Sequence, residues 1–145
     1  MSADLPISPT LSPVLHAANA TQAIEFYCSA FGACERYRLT DPKSGRITHA
    51  ELQMGDSVLM ISQSAEGSPA PSGVKSVQLS LGVINVDAAV ESAVRAGATL
   101  LRPPADQFYG YRCANLRDPL GFEWMLSQKI ESLAPQEMQR RCNLL

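Results

Sequence analysis

Two ionisable side chains, His49 and Glu51, lie two residues apart in a segment with the alternation of a strand, so both belong to one face of it. An imidazole beside a carboxylate can form a proton-transfer pair or grip a polar ligand. A hydrogen-bonded polar pair on a solvated sheet face is the alternative. The residue types leave both interpretations open.

A second candidate is the aromatic segment 108–112, in which a glycine separates aromatic side chains just before a predicted strand. Tyr109 and Arg112 of this segment are predicted to lie near the mouth of a ligand cavity, as a lid over a planar molecule. A packed turn is the alternative. The four cysteines lie far apart without a C-x-x-C pair, which favours reduced thiols over a zinc site. The sequence contains no nucleophile elbow, P-loop or dinucleotide fingerprint.

Composition limits the possible partners. With 46% hydrophobic and 18% charged residues, the 145-residue chain has the composition of an ordinary globular domain. A net charge of -2 leaves no basic surface for a phosphate backbone, so nucleic acid is not expected as a partner. The N-terminal residues do not resemble a signal peptide, and no apolar run approaches the roughly 20 residues that span a bilayer. These features predict a cytoplasmic protein without a membrane partner.

The chain also contains an internal repeat. The tetrapeptide Met-Ile-Ser-Gln at 60–63 returns as Met-Leu-Ser-Gln at 125–128, and Gly-Ala at 32–33 returns at 97–98. Ala-Glu-Leu at 50–52 is echoed by Ala-Asn-Leu at 114–116. A period this long indicates a duplicated supersecondary unit and not a solenoid.

Each copy has the pattern of a βαβββ module. In the first, Asn19 is the predicted N-cap of a helix that ends at Gly32. Predicted strands cover residues 11–17, 34–39, 47–54, 57–63, 75–83, 98–102, 111–117 and 122–128, and the second helix covers 86–96. The predicted domain is one α+β unit, residues 1–145, with module one at about 10–63, a linker at 64–73, module two at about 74–128 and a C-terminal helix at about 134–145. Its mixed sheet is expected to be curved and partly open around a cleft, with the helices outside.

Alternation along the strands separates a helix-facing side from a cleft side. If Gly55-Asp56 is a two-residue hairpin loop, Met54 pairs with Ser57 and Leu52 with Leu59 on the helix-facing side. The opposite side mixes methionine with polar residues, as a small-ligand site requires. The predicted ligand-binding residues are Ser12, His49, Glu51, Met60, Gln78, Ser80, Tyr109, Arg112, Glu123 and Met125.

Several motifs together resemble the vicinal-oxygen-chelate superfamily of glyoxalase I, bleomycin-resistance proteins and extradiol dioxygenases, and most closely its PhnB-like branch. They are AIEFY at 23–27, AFGA at 30–33, HAEL at 49–52, GDSVLM at 55–60, AGA at 96–98 and RDPLGFEW at 117–124. The resemblance covers about residues 10–141. It implies paired βαβββ modules that close a cleft, and a homodimer.

The resemblance also implies where a metal would be held, with one ligand from the first and one from the last strand of each module. Those positions are Ser12, Met60, Gln78 and Met125, and none is His, Glu or Asp. Methionine is a soft donor, unsuited to the metals that this superfamily binds through nitrogen and oxygen. We therefore expect no metal and no cofactor, and a protein that binds a small, partly aromatic molecule in its cleft. The alternative is an enzyme, either a metal-dependent lyase, isomerase or dioxygenase or a metal-free isomerase that uses Glu51 and His49.

Overall fold

The computed structural model describes residues 10–63 and 77–145, which divide into two compact units, one on each side of the gap. The predicted linker at 64–73 lies outside the described residues. The first unit contains β1 (Val14–Ala17), α1 (Ala20–Phe31), β2 (Cys34–Thr40), β3 (Ile47–Met54) and β4 (Ser57–Gln63). The second contains β5 (Leu79–Gly82), α2 (Val86–Arg95), β6 (Thr99–Asp106), β7 (Tyr111–Arg117), β8 (Glu123–Lys129) and α3 (Pro135–Cys142).

Both units have the same sheet topology. The strand order is β1-β4-β3-β2 in the first sheet and β5-β8-β7-β6 in the second. In each sheet the first two strands of that order are parallel and the other pairs are antiparallel. Two four-stranded mixed sheets with three helices confirm the predicted α+β class and its duplicated βαβββ unit. No helix within residues 10–63 and 77–145 is long and apolar enough to cross a membrane.

The core of the first unit lies between α1 and one face of its sheet. Asn19 begins α1 by accepting a 3.0 Å hydrogen bond from the backbone N–H of Gln22, and Gly32 ends it at a φ of 69°. The predicted hairpin register is confirmed, since Met54 pairs with Ser57 and Leu52 with Leu59. The sheet residues that are almost fully buried on the helix side are Ala50, Leu52, Leu59 and Ile61.

In the second unit α2 covers the equivalent face. Asn85 accepts a 3.1 Å hydrogen bond from Ala88 N–H at its start, and Val90 and Ala93 are buried against the sheet. Val94, the residue after Ala93, is 45% exposed. Below α2 the sheet contributes the buried side chains of Ala114, Leu116, Trp124 and Leu126.

Strand β6 extends further than the sequence predicts, to Asp106 instead of residue 102. Pro103 and Pro104 argue against a strand, because proline cannot donate a ladder hydrogen bond. However, among the described strands β6 is an edge strand that pairs only with β7, and its register skips from Arg102 to Ala105 across the prolines. Strands β1 and β5 are shorter than predicted and begin at Val14 and Leu79.

The connection between β7 and β8 is organised by a buried carboxylate. Asp118 is 3% exposed, and its Oδ1 accepts hydrogen bonds from the backbone N–H groups of Leu120 and Phe122, both at 2.9 Å. Its Oδ2 accepts the indole N–H of Trp124 at 2.9 Å. One side chain therefore fixes both the turn and the adjacent core tryptophan.

Alanine substitutions on the two faces of β4 are expected to lower the free energy of unfolding by different amounts. Leu59 is 3% exposed on the helix side, whereas Met60 is only partly buried on the other side. We expect Leu59→Ala to lower the free energy of unfolding by about 2–5 kcal/mol and Met60→Ala by less than about 2 kcal/mol. Urea denaturation of the two variants measures both values. Equal costs would mean that the Met60 face is packed as tightly as the core.

Candidate functional site

In the first unit, the face of the sheet opposite α1 carries a closed polar cluster around Glu51. This carboxylate is 5% exposed. Its Oε1 lies 3.1 Å from Nη1 of Arg36, and both side chains are 7% exposed. Its Oε2 accepts the hydroxyl of Tyr37 at 2.9 Å and lies 3.0 Å from Nε2 of His49. All three partners satisfy a single carboxylate.

A β-bulge in β2 brings two of these partners to the same carboxylate. Glu35 pairs with Leu52 and Tyr37 with Glu51, so the step between them places two residues of β2 opposite one residue of β3. Arg36 is the extra residue. Such a bulge re-aims a side chain relative to regular alternation, which is why strand periodicity alone does not assign Arg36 to this face.

These contacts determine the protonation state of the cluster. The pKa of Glu51 is lowered, first by the hydrogen bond from His49 and then by Tyr37 and the charge of Arg36, although burial acts in the opposite direction. The pKa of Tyr37 is raised, because its hydroxyl donates to Glu51. A carboxylate with a lowered pKa and three partners is a weak base. The geometry therefore supports the hydrogen-bonded polar pair over the proton-transfer pair for His49 and Glu51.

The equivalent face of the second unit holds an open cavity of about 730 Å³. Four of the predicted site residues line it, namely Gln78, Tyr109, Glu123 and Met125. The sequence prediction missed the other seven lining residues, which are Leu101, Arg102, Pro103, Ala105, Gln107, Cys113 and Asn115.

Four polar side chains of this cavity have unused hydrogen-bonding capacity. Within the part of the chain that the structure describes, the side chains of Gln78, Arg102, Asn115 and Glu123 make no hydrogen bond or ion pair. Arg102, Asn115 and Met125 form a row across three strands, because Arg102 pairs with Asn115 and Asn115 with Met125. Glu123 lies two residues along β8 from that row, about 7 Å away at 3.4 Å per residue.

Tyr109 contributes an aromatic wall and a neutral hydroxyl. Its Oη lies 3.6 Å from Sγ of Cys113, and that thiol in turn lies 3.7 Å from Oγ of Ser127. The hydrogen bond with Cys113, together with burial, raises the pKa of Tyr109 to about 12. The tyrosine is therefore neutral at physiological pH, and the thiol of Cys113 is hydrogen-bonded on two sides.

The loop that carries Tyr109 is held by the segment that follows β8. Arg141 of α3 donates to the carbonyl of Phe108 at 3.2 Å and to Oε1 of Glu131 at 2.6 Å. The carbonyl of Gly110 accepts the N–H groups of Ile130 and Glu131 at 2.9 and 3.1 Å. Gly110 has a φ of 90°, and a Cβ there would lie 2.7 Å from the carbonyl oxygen of Glu131. Only glycine fits this contact without displacement.

The structure places Arg112 away from the cavity, which corrects its predicted position at the mouth. Arg112 alternates with Cys113 along β7 and so faces the helix side. There its Nε and Nη2 donate to the carboxylate of Asp87 in the first turn of α2, at 2.9 and 3.0 Å, and Nη1 donates to Asp106 at 3.0 Å. The arginine joins α2 to the sheet.

The other predicted site residues lie beside the cavity or in the first unit. Ser80 pairs with Met125 but is exposed and does not line the cavity. Met60 pairs with Glu51 and, on its other side, with Val14, two residues after Ser12. That Glu51 and Met60 line the same cavity as Gln78 and Met125 stays a prediction.

The donor atoms at the four metal-ligand positions do not fit a metal ion of the kind that the resemblance implies. Ser12, Met60, Gln78 and Met125 offer one hydroxyl, two thioethers and one amide. Hard divalent ions require carboxylate or imidazole donors at such positions. Among residues 10–63 and 77–145, no group of three or more His, Cys, Asp or Glu side chains could hold a metal ion.

Comparison with known proteins identifies a matching family and several solved structures of similar fold. The family model described as the Glyoxalase/Bleomycin resistance protein/Dioxygenase superfamily matches residues 12–126. The chain is 34% identical over 140 residues to the uncharacterized protein Mb0911c of Mycobacterium bovis, covering 92% of this chain and 91% of that protein.

Two crystal structures illustrate the likeness of fold. TioX from Micromonospora sp. ML1 is 24% identical, with a TM-score of 0.66 and coverage of 84% of this chain and 99% of TioX. A glyoxalase I variant from Zea mays is 22% identical, with a TM-score of 0.71 and coverage of 83% of this chain and 46% of that chain. At these identities the likeness shows the fold alone.

Proposed function

The chain belongs to the Glyoxalase/Bleomycin resistance protein/Dioxygenase superfamily, and we propose that it is a metal-free binding protein that holds a small, partly aromatic molecule. We place the binding site in the cavity of the second unit. The observation that carries the proposal is the set of polar side chains that converge on this cavity without a partner in the described residues. Polar groups that a ligand can satisfy are what orient it in an otherwise apolar pocket.

The contrast with the first unit supports this assignment. There the polar groups of the same face, Arg36, Tyr37, His49 and Glu51, satisfy one another around a buried carboxylate. In the second unit Arg102, Asn115 and Glu123 face an open volume of about 730 Å³. That volume is within the range of about 300–1,000 Å³ that is usual for small-molecule sites.

The apolar part of the lining suits a partly aromatic molecule. Tyr109 offers a ring for stacking, and the thioether of Met125 makes favourable contacts with aromatic faces. Leu101 and Pro103 add apolar surface on β6. These apolar side chains would give a ligand a hydrophobic contact surface, and the polar side chains would give it fixed hydrogen-bonding positions.

Binding at Met125 is the direct test. Protein labelled with ¹³C at the methionine methyl groups is titrated with a library of aromatic fragments. We expect the methyl signal of Met125 to shift, while that of Met54, on the helix side of the first sheet, serves as the reference. Ligand at a hundred times its Kd should also stabilise the protein by about 2.7 kcal/mol.

A pair of bulky substitutions locates the site. Ala105→Trp fills the cavity and is expected to abolish the shift at Met125. Leu39→Trp is the matched control, because Leu39 pairs with His49 as Ala105 pairs with Cys113 in the second sheet, and it should leave binding intact. Loss of binding in both variants, or in neither, would contradict the assignment to this cavity.

Elemental analysis separates this function from the enzymatic alternative. Protein expressed in metal-supplemented medium and retaining one equivalent of Fe, Mn, Ni or Zn would favour a metal-dependent lyase, isomerase or dioxygenase. We also propose the two-fold homodimer, the cytoplasmic location and the PhnB-like branch as the setting of this function.

A further inference from the structure

The two sheets share a local geometry in which the side chains around one position have been exchanged. In the second sheet Leu100 pairs with Leu116 and Arg102 with Asn115, so β6 has an extra residue opposite Asn115. The bulge in β2 stands in the same relation to Glu51. The internal repeat aligns these positions, because Ala-Asn-Leu at 114–116 echoes Ala-Glu-Leu at 50–52. Asn115 therefore occupies the place of Glu51.

This exchange removes a carboxylate and places a guanidinium opposite its position, where the first unit has a phenol. In the first unit the carboxylate of Glu51 accepts the hydroxyl of Tyr37, which pairs with it, and contacts Arg36 from the bulge. In the second unit Leu101 is the bulge residue, and Arg102 takes the place of Tyr37 by pairing with Asn115, which is uncharged and one methylene shorter than glutamate. No described residue forms an ion pair with Arg102, and Arg102 lines the cavity.

We propose that the ligand of the second unit carries a carboxylate, which binds Arg102 and Asn115 in the place that the carboxylate of Glu51 holds in the first unit. This inference rests on the proposed binding function and names the class of ligand. The guanidinium offers a planar pair of N–H donors that matches a carboxylate, and the amide of Asn115 offers another donor.

The other titratable groups of the cavity are compatible with a bound anion. Glu123 lies two strands and two residues from Arg102, which corresponds to about 12 Å between their Cα atoms. At that distance its charge is largely screened by water and salt. Tyr109 is neutral, and Gln78 lies beside Glu123 at the far end, where the pair suits a hydrogen-bond donor of the ligand.

Matched fragments test the charge of the ligand. The titration at Met125 uses pairs of aromatic carboxylates and their primary amides, beginning with 3-phenylpropanoate and 3-phenylpropanamide. We expect each carboxylate that binds to do so at least about tenfold more tightly than its amide, since a charge-assisted hydrogen bond contributes about 1.5–3 kcal/mol. Arg102→Gln should remove this discrimination.

A second test restores the missing carboxylate inside the protein. Asn115→Glu would place a carboxylate on Arg102 and compete with that of the ligand, whereas Asn115→Gln adds the same length without the charge. The difference between the two variants isolates the charge. We expect Asn115→Glu to weaken carboxylate binding at least about tenfold more than Asn115→Gln does, with a Tm no lower than that of Asn115→Gln.

The outcomes distinguish this inference from the function on which it rests. Equal affinity for acid and amide in every pair, or equal behaviour of Asn115→Glu and Asn115→Gln, would overturn the carboxylate assignment and leave the binding function standing. Failure of every fragment, charged or neutral, to move the methyl signal of Met125 would overturn both.

Discussion

Glu51→Ala is expected to lower the free energy of unfolding by about 3–5 kcal/mol, because it leaves the buried guanidinium of Arg36 without its carboxylate. Both side chains of this pair are 7% exposed, so water cannot replace the lost partner as it does at the surface. Tyr37 and His49 lose the same acceptor. Denaturation in urea, followed by circular dichroism, measures the effect.

Glu35→Ala is the matched control for that substitution. Glu35 also binds an arginine, with Oε2 2.6 Å from Nη2 of Arg38, but these side chains are 28% and 39% exposed. A surface ion pair of this kind contributes about 0–1 kcal/mol. If the two alanine variants lost similar stability, the buried cluster would have no special role in the fold.

The same cluster predicts a dependence on pH. The hydrogen bond from His49, and then Tyr37 and Arg36, lower the pKa of Glu51 in the folded protein. A carboxyl with a lowered folded pKa stabilises the protein above its unfolded pKa of about 4.3 and loses that contribution as the pH falls through the folded value. Acidification below about pH 4.3 should therefore destabilise the unsubstituted protein more than Glu51→Ala.

Asp118→Ala is expected to lower the free energy of unfolding by about 3 kcal/mol, because it removes the acceptor of three hydrogen bonds at once. The indole N–H of Trp124 is buried and has no access to water, whereas Leu120 and Phe122 are only partly buried. Far-UV circular dichroism in urea is the appropriate measurement, since the fluorescence of the single tryptophan changes with its own hydrogen bond.

The corresponding hairpin of the first unit provides the control. Asp56 lies in the turn between β3 and β4, is exposed, and its only recorded side-chain contact within the described residues is with Oγ of Ser57 at 3.4 Å. Asp56→Ala should change the free energy of unfolding by less than about 0.5 kcal/mol. A similar loss in both variants would show that the turn tolerates the absence of the Asp118 carboxylate.

Much of the fold follows from local signals in the sequence. The two-residue loop Gly55-Asp56 determines the register of its hairpin, because a shift by one residue would expose Leu52 and Leu59 and bury their polar neighbours. Asn19 and Gly32 mark the ends of α1 for equally local reasons. The extent of β6 is not local information, since only its position at the edge of the sheet makes Pro103 acceptable in a strand.

The candidate site was less accessible to prediction from sequence. Strand alternation alone places Gln78, Glu123 and Met125 on the cavity face. Arg102 was missed because the bulge opposite Asn115 breaks the alternation. Asn115 could have been identified from the sequence, because the internal repeat aligns it with Glu51. A charged residue in one copy and an uncharged residue in the other indicate different roles.

The paired bulges also bear on how such a protein evolves new specificity. Of the two copies, one has a polar cluster on which stability is expected to depend, and the other has a bulge at the same position without that cluster. Substitutions at Arg102, Asn115 or Glu123 remove no hydrogen bond or ion pair among the described residues, so they can accumulate under selection for a different molecule. Stability and binding specificity can therefore change separately, because one depends on the cluster of the first unit and the other on the cavity of the second.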